Sequence, residues 1–509
     1  MRTKNSIINI ITGITGQIAV TIAGFVARTV FIRVLGSTYL GVSGLFSNIL
    51  TLLSLAELGI GQAIVFSLYK PIAEKDEDKI CALMRLYEKA YRFLFIVVVC
   101  VGLVILPFLP YIIKDIDAIP NIRTIYVLYV LNSAFSYLFS YRGTLITASQ
   151  KNYIINIVYV ISTILMTVCQ VAGLLLFKNY FVYLGTQIAF GVFQNLFSYF
   201  YSSWKYPFLK RKDVPSLPKE EFVGIKKNIG ALVLYKIGTL ALNSTDNIII
   251  SAYVGIITVG LYSNYTLLTS VVSGFLSTIF GNLTASIGNL NATETNEKKV
   301  FIFRVLNLAT FWFYSVCSVC LFICMTPFIR AWIGEEYTLP LSVSLIVALN
   351  VYIGGMLFAP FNFRQIMGLF VQGKMRPIIS AIINIVISIW FAKLWGLPGV
   401  LWGTAVARLT TNVWFDPYLV FKRGLNSSPV SYYIDYIIKM ILFLLMGLVC
   451  WYITSWVLLS NILGVLLKAI ISFFVCNLII IILYRKSEEY QYLKGVLINF
   501  KSIVAEKRA

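Results

Sequence analysis

The chain has 509 residues, of which 59% are hydrophobic and only 12% charged, and its mean hydropathy is +0.83. This composition excludes both a soluble globular domain and a disordered chain. The formal charge of +21 is no nucleic-acid signature, because Lys and Arg lie in the gaps between long apolar stretches, where membrane topology and anionic headgroups account for them.

The apolar stretches predict an all-α integral membrane protein with fourteen spans. They run over 7–32, 40–68, 93–113, 121–147, 152–177, 180–203, 228–251, 259–287, 305–329, 338–363, 377–394, 398–421, 440–458 and 461–484. At about 1.5 Å per residue, roughly twenty residues cross a hydrocarbon core of about 30 Å. When basic residues at helix ends are counted with the adjoining connection, the termini and even-numbered connections hold 32 of the 42 Lys and Arg. The odd-numbered connections hold 6, and 4 lie inside spans. The positive-inside rule then puts both termini and the even connections in the cytoplasm of a cell whose cytoplasmic membrane holds the chain. Met1-Arg2-Thr3-Lys4 leads straight into the first span, which reads as a retained helix and not a cleaved signal.

Other motifs carry less. Asn243, Asn264, Asn282 and Asn291 begin N-x-S/T matches, but their places in apolar helices or on the inner side remove them as glycosylation sites. Cys317, Cys320 and Cys324 recur at helical spacing in the ninth span and read as small apolar residues on a packed face. No histidine occurs, so the usual neutral-pH acid/base group and the commonest zinc ligand are missing. Neither a cofactor nor a metal is expected.

Three cytoplasmic connections are long. Residues 69–92 carry Glu74, Asp76, Glu77 and Asp78, followed by Ile80, Leu83, Leu86 and Tyr91 at helical spacing, as in an amphipathic helix at the inner interface or a solvated connector. Residues 204–227, with Lys210-Arg211-Lys212 and then Pro215 and Pro218, read as a linker between two halves. The third is 422–439. The halves echo each other: Gly36 followed by Leu40-Gly41 and Gly255 followed by Val259-Gly260 coincide at an offset of 219, and Gly396-Leu397-Pro398-Gly399 marks a similar turn. That offset places six spans in each half, and an even number makes the copies parallel. The organisation expected is an N-lobe over 1–210, a linker over 211–227, a C-lobe over 228–425, and an appended pair of spans with a cytoplasmic tail over 426–509. Every outside connection is short, which argues against a membrane polymerase or ligase needing an outer catalytic loop.

Charges inside spans are costly and point to function or to a partner. Lys236 and Arg408 fall near the midplane of spans 7 and 12, Arg28 lies in the outer half of span 1, and Arg33 lies at its outer mouth. Lys468 snorkels near an outer end, and Arg142 and Arg364 read as positive-inside residues at cytoplasmic helix ends. Glu57 and Asp246 interrupt spans 2 and 7 and read either as coupling-ion sites or as structural acids. Asn48, Asn132, Tyr141, Asn243 and Asn350 are candidates for lining a polar cavity, and Ser136, Gln170, Gln187, Gln194, Asn195 and Asn384 add to a polar content too high for helices facing only lipid. Interhelical hydrogen bonds explain some of these; a wet cavity accepting a polyhydroxylated ligand explains them together.

At these residues the chain resembles bacterial polysaccharide repeat-unit flippases of the Wzx type, exporters of O-antigen, capsule or teichuronic-type units. They belong to the MOP superfamily, which also holds lipid II flippases and multidrug and toxin extruders. The similarity rests on Arg28-Thr29-Val30-Phe31-Ile32-Arg33-Val34-Leu35-Gly36, on Leu55-Ala56-Glu57-Leu58-Gly59-Ile60-Gly61 and on Tyr141-Arg142-Gly143-Thr144. It continues in Thr245-Asp246-Asn247 with Gly260-Leu261-Tyr262-Ser263-Asn264-Tyr265, and in Gly368-Leu369-Phe370-Val371-Gln372-Gly373-Lys374. The resemblance implies two six-helix lobes around a central cavity, a lipid-linked oligosaccharide as substrate and alternating access, with no enzymatic reaction and no nucleic acid. It also implies that basic residues in helices 1 and 7, here Arg28 and Lys236, hold the lipid diphosphate, with membrane lipids and polysaccharide assembly proteins as partners. A multidrug exporter of the same fold is the alternative, but its cavity should be acidic, whereas the midplane charges here are basic.

Overall fold

A computed structural model describes residues 2–54, 57–114, 116–149, 151–211, 217–218, 244–281, 295–369, 371–373 and 375–496. Among the described residues there is no strand, and ten helices are long and apolar enough to cross a membrane. The chain forms two compact units, Met1–Gly260 and Leu261–Ala509.

The first unit contains α1 (Arg2–Leu53), α2 (Glu57–Glu74), α3 (Glu77–Ile105), α4 (Ile122–Ser140), α5 (Gly143–Ala148), α6 (Asn152–Phe177), α7 (Tyr180–Lys205) and α8 (Asp246–Tyr253), and it ends within α9 (Ile256–Gly281). Span 5 of the sequence reading is α6 residue for residue, bounded by Lys151 and Lys178. The expected connection over 33–39 shrinks to one residue, Gly36 at φ 79° and ψ −177°, across which two helices run on as α1. Only glycine adopts that conformation without strain. Gly255, at φ 134°, makes the matching turn between α8 and α9.

The two turns bring α1 and α9 into backbone contact. A methyl group built on Gly41 would overlap the carbonyl oxygen of Ile256, and one built on Gly260 would overlap that of Ser37. Each would also stand 3.1 Å from the other glycine's backbone nitrogen. Both pairs, 37 with 256 and 41 with 260, obey the offset of 219 seen in the sequence. The weak internal echo is therefore a two-fold-related crossing in three dimensions.

The stretch over 80–91 is neither a free interfacial helix nor a solvated connector. It opens α3, which starts where Asp76 accepts a hydrogen bond from the Lys79 backbone N–H at 2.9 Å, with Glu77 and Asp78 in the favourable first turn. Its apolar face, Ile80, Leu83, Met84, Tyr87 and Tyr91, is buried in a core shared with Ile64 and Leu68 of α2 and with Tyr137, Tyr141 and Leu145. Arg211, the first residue of the expected linker, is tied back to Glu77 at 2.8 Å. Another expected span is broken, span 4 at Tyr141-Arg142.

The second unit continues from α9 with α10 (Asn296–Ile333), α11 (Leu341–Met356), α12 (Phe358–Ile366), α13 (Arg376–Trp395), α14 (Leu397–Ala407), α15 (Val413–Leu419), α16 (Val430–Ser455) and α17 (Ile462–Tyr484). α10 is the central element, packed by α11, α16 and α17. Cys320 and Cys324 face α17, their Sγ atoms 3.9 Å from the carbonyl oxygens of Ala469 and Val465. π-turns at Arg408–Asn412 and Val420–Gly424 flank α15, so span 12 is one helix with two local dilations.

The glycine crossing yields a direct test. Gly41→Ala and Gly260→Ala should each destabilise the protein by about 1–3 kcal/mol through overpacking, read as a lowered midpoint of thermal unfolding in detergent. Gly24→Ala, where an added methyl meets nothing within 4 Å, should leave the midpoint unchanged or raised.

Candidate functional site

Three helices of the first unit each turn a polar face toward one cavity of about 340 Å³. α1 contributes Ser47 and Thr51, with Ser54 just past its end, α4 contributes Tyr129, Asn132, Ser133 and Ser136, and α7 contributes Gln187 and Asn195 across Gly191. Spacings of three, four and seven or eight residues put each set on one helix face. The volume lies at the lower end of the roughly 300–1,000 Å³ usual for ligand pockets. α7 has the length of a span yet is absent from the ten most apolar ones, because Thr186, Gln187, Gln194, Asn195 and Ser198 interrupt it.

The cavity ends on a tyrosine cluster. Tyr129 lines it, and its hydroxyl donates to Ser43 Oγ at 2.9 Å and lies 2.9 Å from the Tyr180 hydroxyl. The Tyr180 ring stacks on Tyr39 at 4.8 Å and on Tyr183 at 6.1 Å, while Phe31 packs edge-on to Tyr183 at 4.8 Å. Arg28 is half-buried on α1, within electrostatic reach of Tyr183. A buried cluster of aromatic rings and hydroxyls thus lies between the surroundings of Arg28 and the cavity wall.

In the second unit two predicted residues meet. Arg408 Nη1 donates to the backbone carbonyl of Asn350 at 2.9 Å, and the Asn350 amide donates to the carbonyl oxygens of Ile346 and Leu401 at 3.1 and 3.0 Å. Arg408 opens the first π-turn and also packs beside Gly354. Asp246 is half-buried at the first position of α8.

The other candidates are scattered. Arg33 is exposed, and Asn48 is half-buried but outside the cavity lining. Tyr141 is buried among Tyr87 and Tyr199, with its hydroxyl accepting from Arg142 Nε at 3.2 Å. Lys236 and Asn243 lie outside the described residues, as do most of the expected linker and the side chain of Glu57. Asn384 spends its amide on Thr404 Oγ1 at 2.9 Å and Gln170 on the Tyr183 carbonyl at 3.4 Å, so these are interhelical bonds.

Sequence reasoning missed the hydroxyls Ser47, Thr51, Ser54 and Tyr129, although their helical spacing was visible. It also missed Asp416. Arg364 is 1% exposed, and its Nη1 donates to Asp416 Oδ1 at 2.6 Å, while Arg376 pairs with Asp416 Oδ2. Arg364 is therefore a buried ion-pair member and not only a topological charge. A second pair, buried Lys439 with the partly exposed Asp435 at 2.7 Å, is joined by the Asn307 amide at 2.9 Å and fastens α16 to α10.

The family described as polysaccharide biosynthesis protein matches residues 6–283, more than half of the chain. The chain belongs to this family. No curated protein sequence matches it. Among solved structures, this family member resembles the lipid II flippase MurJ in an inward-closed conformation, with TM-score 0.67 and 15% identity over 94% of this chain and 99% of that one. It also resembles an inward-facing multidrug resistance MATE family transporter of the MOP superfamily, with TM-score 0.55 and 13% identity over 77% and 93% of the two chains. A MOP superfamily transporter from Pyrococcus furiosus, described as having a binding pocket of reversed polarity, gives TM-score 0.52 and 13% identity over 84% and 97%. The fold is thus that of multi-pass membrane proteins of the MOP superfamily, as the sequence resemblance implied.

The buried ion pairs predict a clear hierarchy. Arg364→Met should leave Asp416 short of a partner and cost about 3–5 kcal/mol, seen as a lowered unfolding midpoint and reduced yield of membrane-inserted protein. Arg408→Ala, at a half-buried site bonded to a backbone carbonyl, should lower the midpoint much less.

Proposed function

We propose that the chain is a flippase that moves a polyprenyl-diphosphate-linked oligosaccharide repeat unit from the inner to the outer leaflet of the cytoplasmic membrane by alternating access. In this reading fourteen spans form an N-lobe, a C-lobe and two appended helices, with both termini in the cytoplasm. Arg28, Lys236 and Arg408, with Arg33 at the outer mouth, interact with the diphosphate during passage, and the sugars occupy the polar cavity. The lipid tail stays in the bilayer. The observation that carries the reading is the cavity itself, a hydroxyl- and amide-lined space inside a membrane protein of the polysaccharide biosynthesis family. A diphosphate alone in hydrocarbon meets a prohibitive desolvation cost, which basic residues in a wet cavity lower.

Moving one charge through 100 mV is worth about 2.3 kcal/mol, so a diphosphate of roughly two charges leaving an inside-negative cell gains about 4–5 kcal/mol from the potential alone. Glu57 and Asp246 are the alternative coupling sites.

Replacing Arg28 and Lys236 by alanine should abolish polysaccharide output and make the lipid-linked precursor accumulate on the inner side, measured by extraction and mass spectrometry. Unchanged output would leave the chain a scaffold and not a transporter. In proteoliposomes an imposed potential should set the export rate. A rate that ignores the potential and follows a proton or sodium gradient would shift the drive to Glu57 or Asp246.

A further inference from the structure

From the chemistry of its lining we infer that the first-unit cavity takes neutral, hydroxyl- or N-acetyl-bearing sugar residues and rejects uronic acids. This inference rests on the flippase reading and narrows its substrate class. The three helix segments that build the cavity contain no charged residue over 37–56, 124–141 and 181–204. Among the described residues that line the cavity there is therefore no cation for a carboxylate placed there to pair with.

The hydrogen bonds point the same way. Thr51 Oγ1 donates to the Ser47 carbonyl at 2.8 Å, Ser54 Oγ to the Thr51 carbonyl at 2.8 Å and Ser136 Oγ to the Ser133 carbonyl at 2.6 Å. The Asn195 amide donates to the Gly191 carbonyl at 3.0 Å, and the Tyr129 hydroxyl donates to Ser43. These hydroxyls spend their protons inside the protein and keep oxygen lone pairs for the cavity, while the Asn132, Gln187 and Asn195 amides bring both carbonyl oxygens and N–H groups to it. The wall is consequently polar and uncharged, with acceptors and donors side by side. Sugar hydroxyls and acetamido groups, which donate and accept, match such a wall, whereas an ionised carboxylate meets no counter-charge in it. The volume of about 340 Å³ limits the fit to a short piece of the glycan.

The test uses the full-length protein in proteoliposomes with two synthetic probes, polyprenyl-diphosphate disaccharides that are identical except that one carries a hexuronic acid where the other carries the neutral hexose. Appearance at the outer face is read with membrane-impermeant periodate. The neutral probe should cross at least about tenfold faster, the discrimination expected from a carboxylate brought in without a counter-charge. Gln187→Lys, which puts a cation on the cavity face of α7, should bring the uronic probe to within about twofold of the neutral one. Its helical circular dichroism should match the wild type. Equal rates for both probes with the wild-type protein, or faster movement of the uronic probe, would overturn the inference while leaving the flippase reading intact. Movement of neither probe would remove the flippase reading, and the inference with it.

Discussion

Hydrocarbon gives polar groups no partner, so each one in a membrane-embedded chain must bond within the protein or face enclosed water. That constraint sorts the polar residues of this molecule into three sets. Asn384 and Gln170 bond across helix pairs and hold α14 to α13 and α7 to α6. Arg364, Arg376 and Asp416 form a buried charge cluster joining α12, the start of α13 and α15. Thr51, Ser136 and Asn195, which face the first-unit cavity, bond back to their own helices and leave their remaining capacity to whatever fills the space. This third set is uncharged.

Much of this was legible in the chain. Apolar runs bounded by Lys151 and Lys178 gave α6 without error, because nothing inside the run competes with the helix. The glycine echo at an offset of 219 marked the crossing, since only glycine permits both the turn at Gly36 and the close approach at Gly41. The helix break at Tyr141-Arg142 was not visible, because a basic residue near a cytoplasmic helix end fits the positive-inside pattern equally well and hydropathy records nothing of backbone direction. Asp416 was passed over for a different reason. Its partners Arg364 and Arg376 are 52 and 40 residues away along the chain, a pairing that local pattern cannot reveal. Asn132 and Asn384 look alike in sequence, both lone amides in apolar helices, and only the third dimension sends one to a cavity and the other to Thr404.

In the proposed mechanism the two chemical halves of the cargo make opposite demands. The diphosphate needs cations and tolerates little choice in how they are spaced. The sugars need many weak, directional contacts without net charge. The sequence keeps these apart, with Arg28 and Arg33 confined to the part of α1 before Gly36 and the uncharged cavity wall after it. The tyrosines that run from Arg28 toward Tyr129 join the two environments with groups that can both stack and hydrogen-bond.

The crossing of Gly41 and Gly260 contains no side chain on either helix at the point of closest approach. Such a joint is independent of the side chains further along either helix. In the proposed reading, Ser47 and Thr51 of α1, with Ser54 just past its end, can be exchanged for others that fit a different glycan without disturbing how the helices meet. The scaffold and its selectivity are thereby free to evolve on separate clocks.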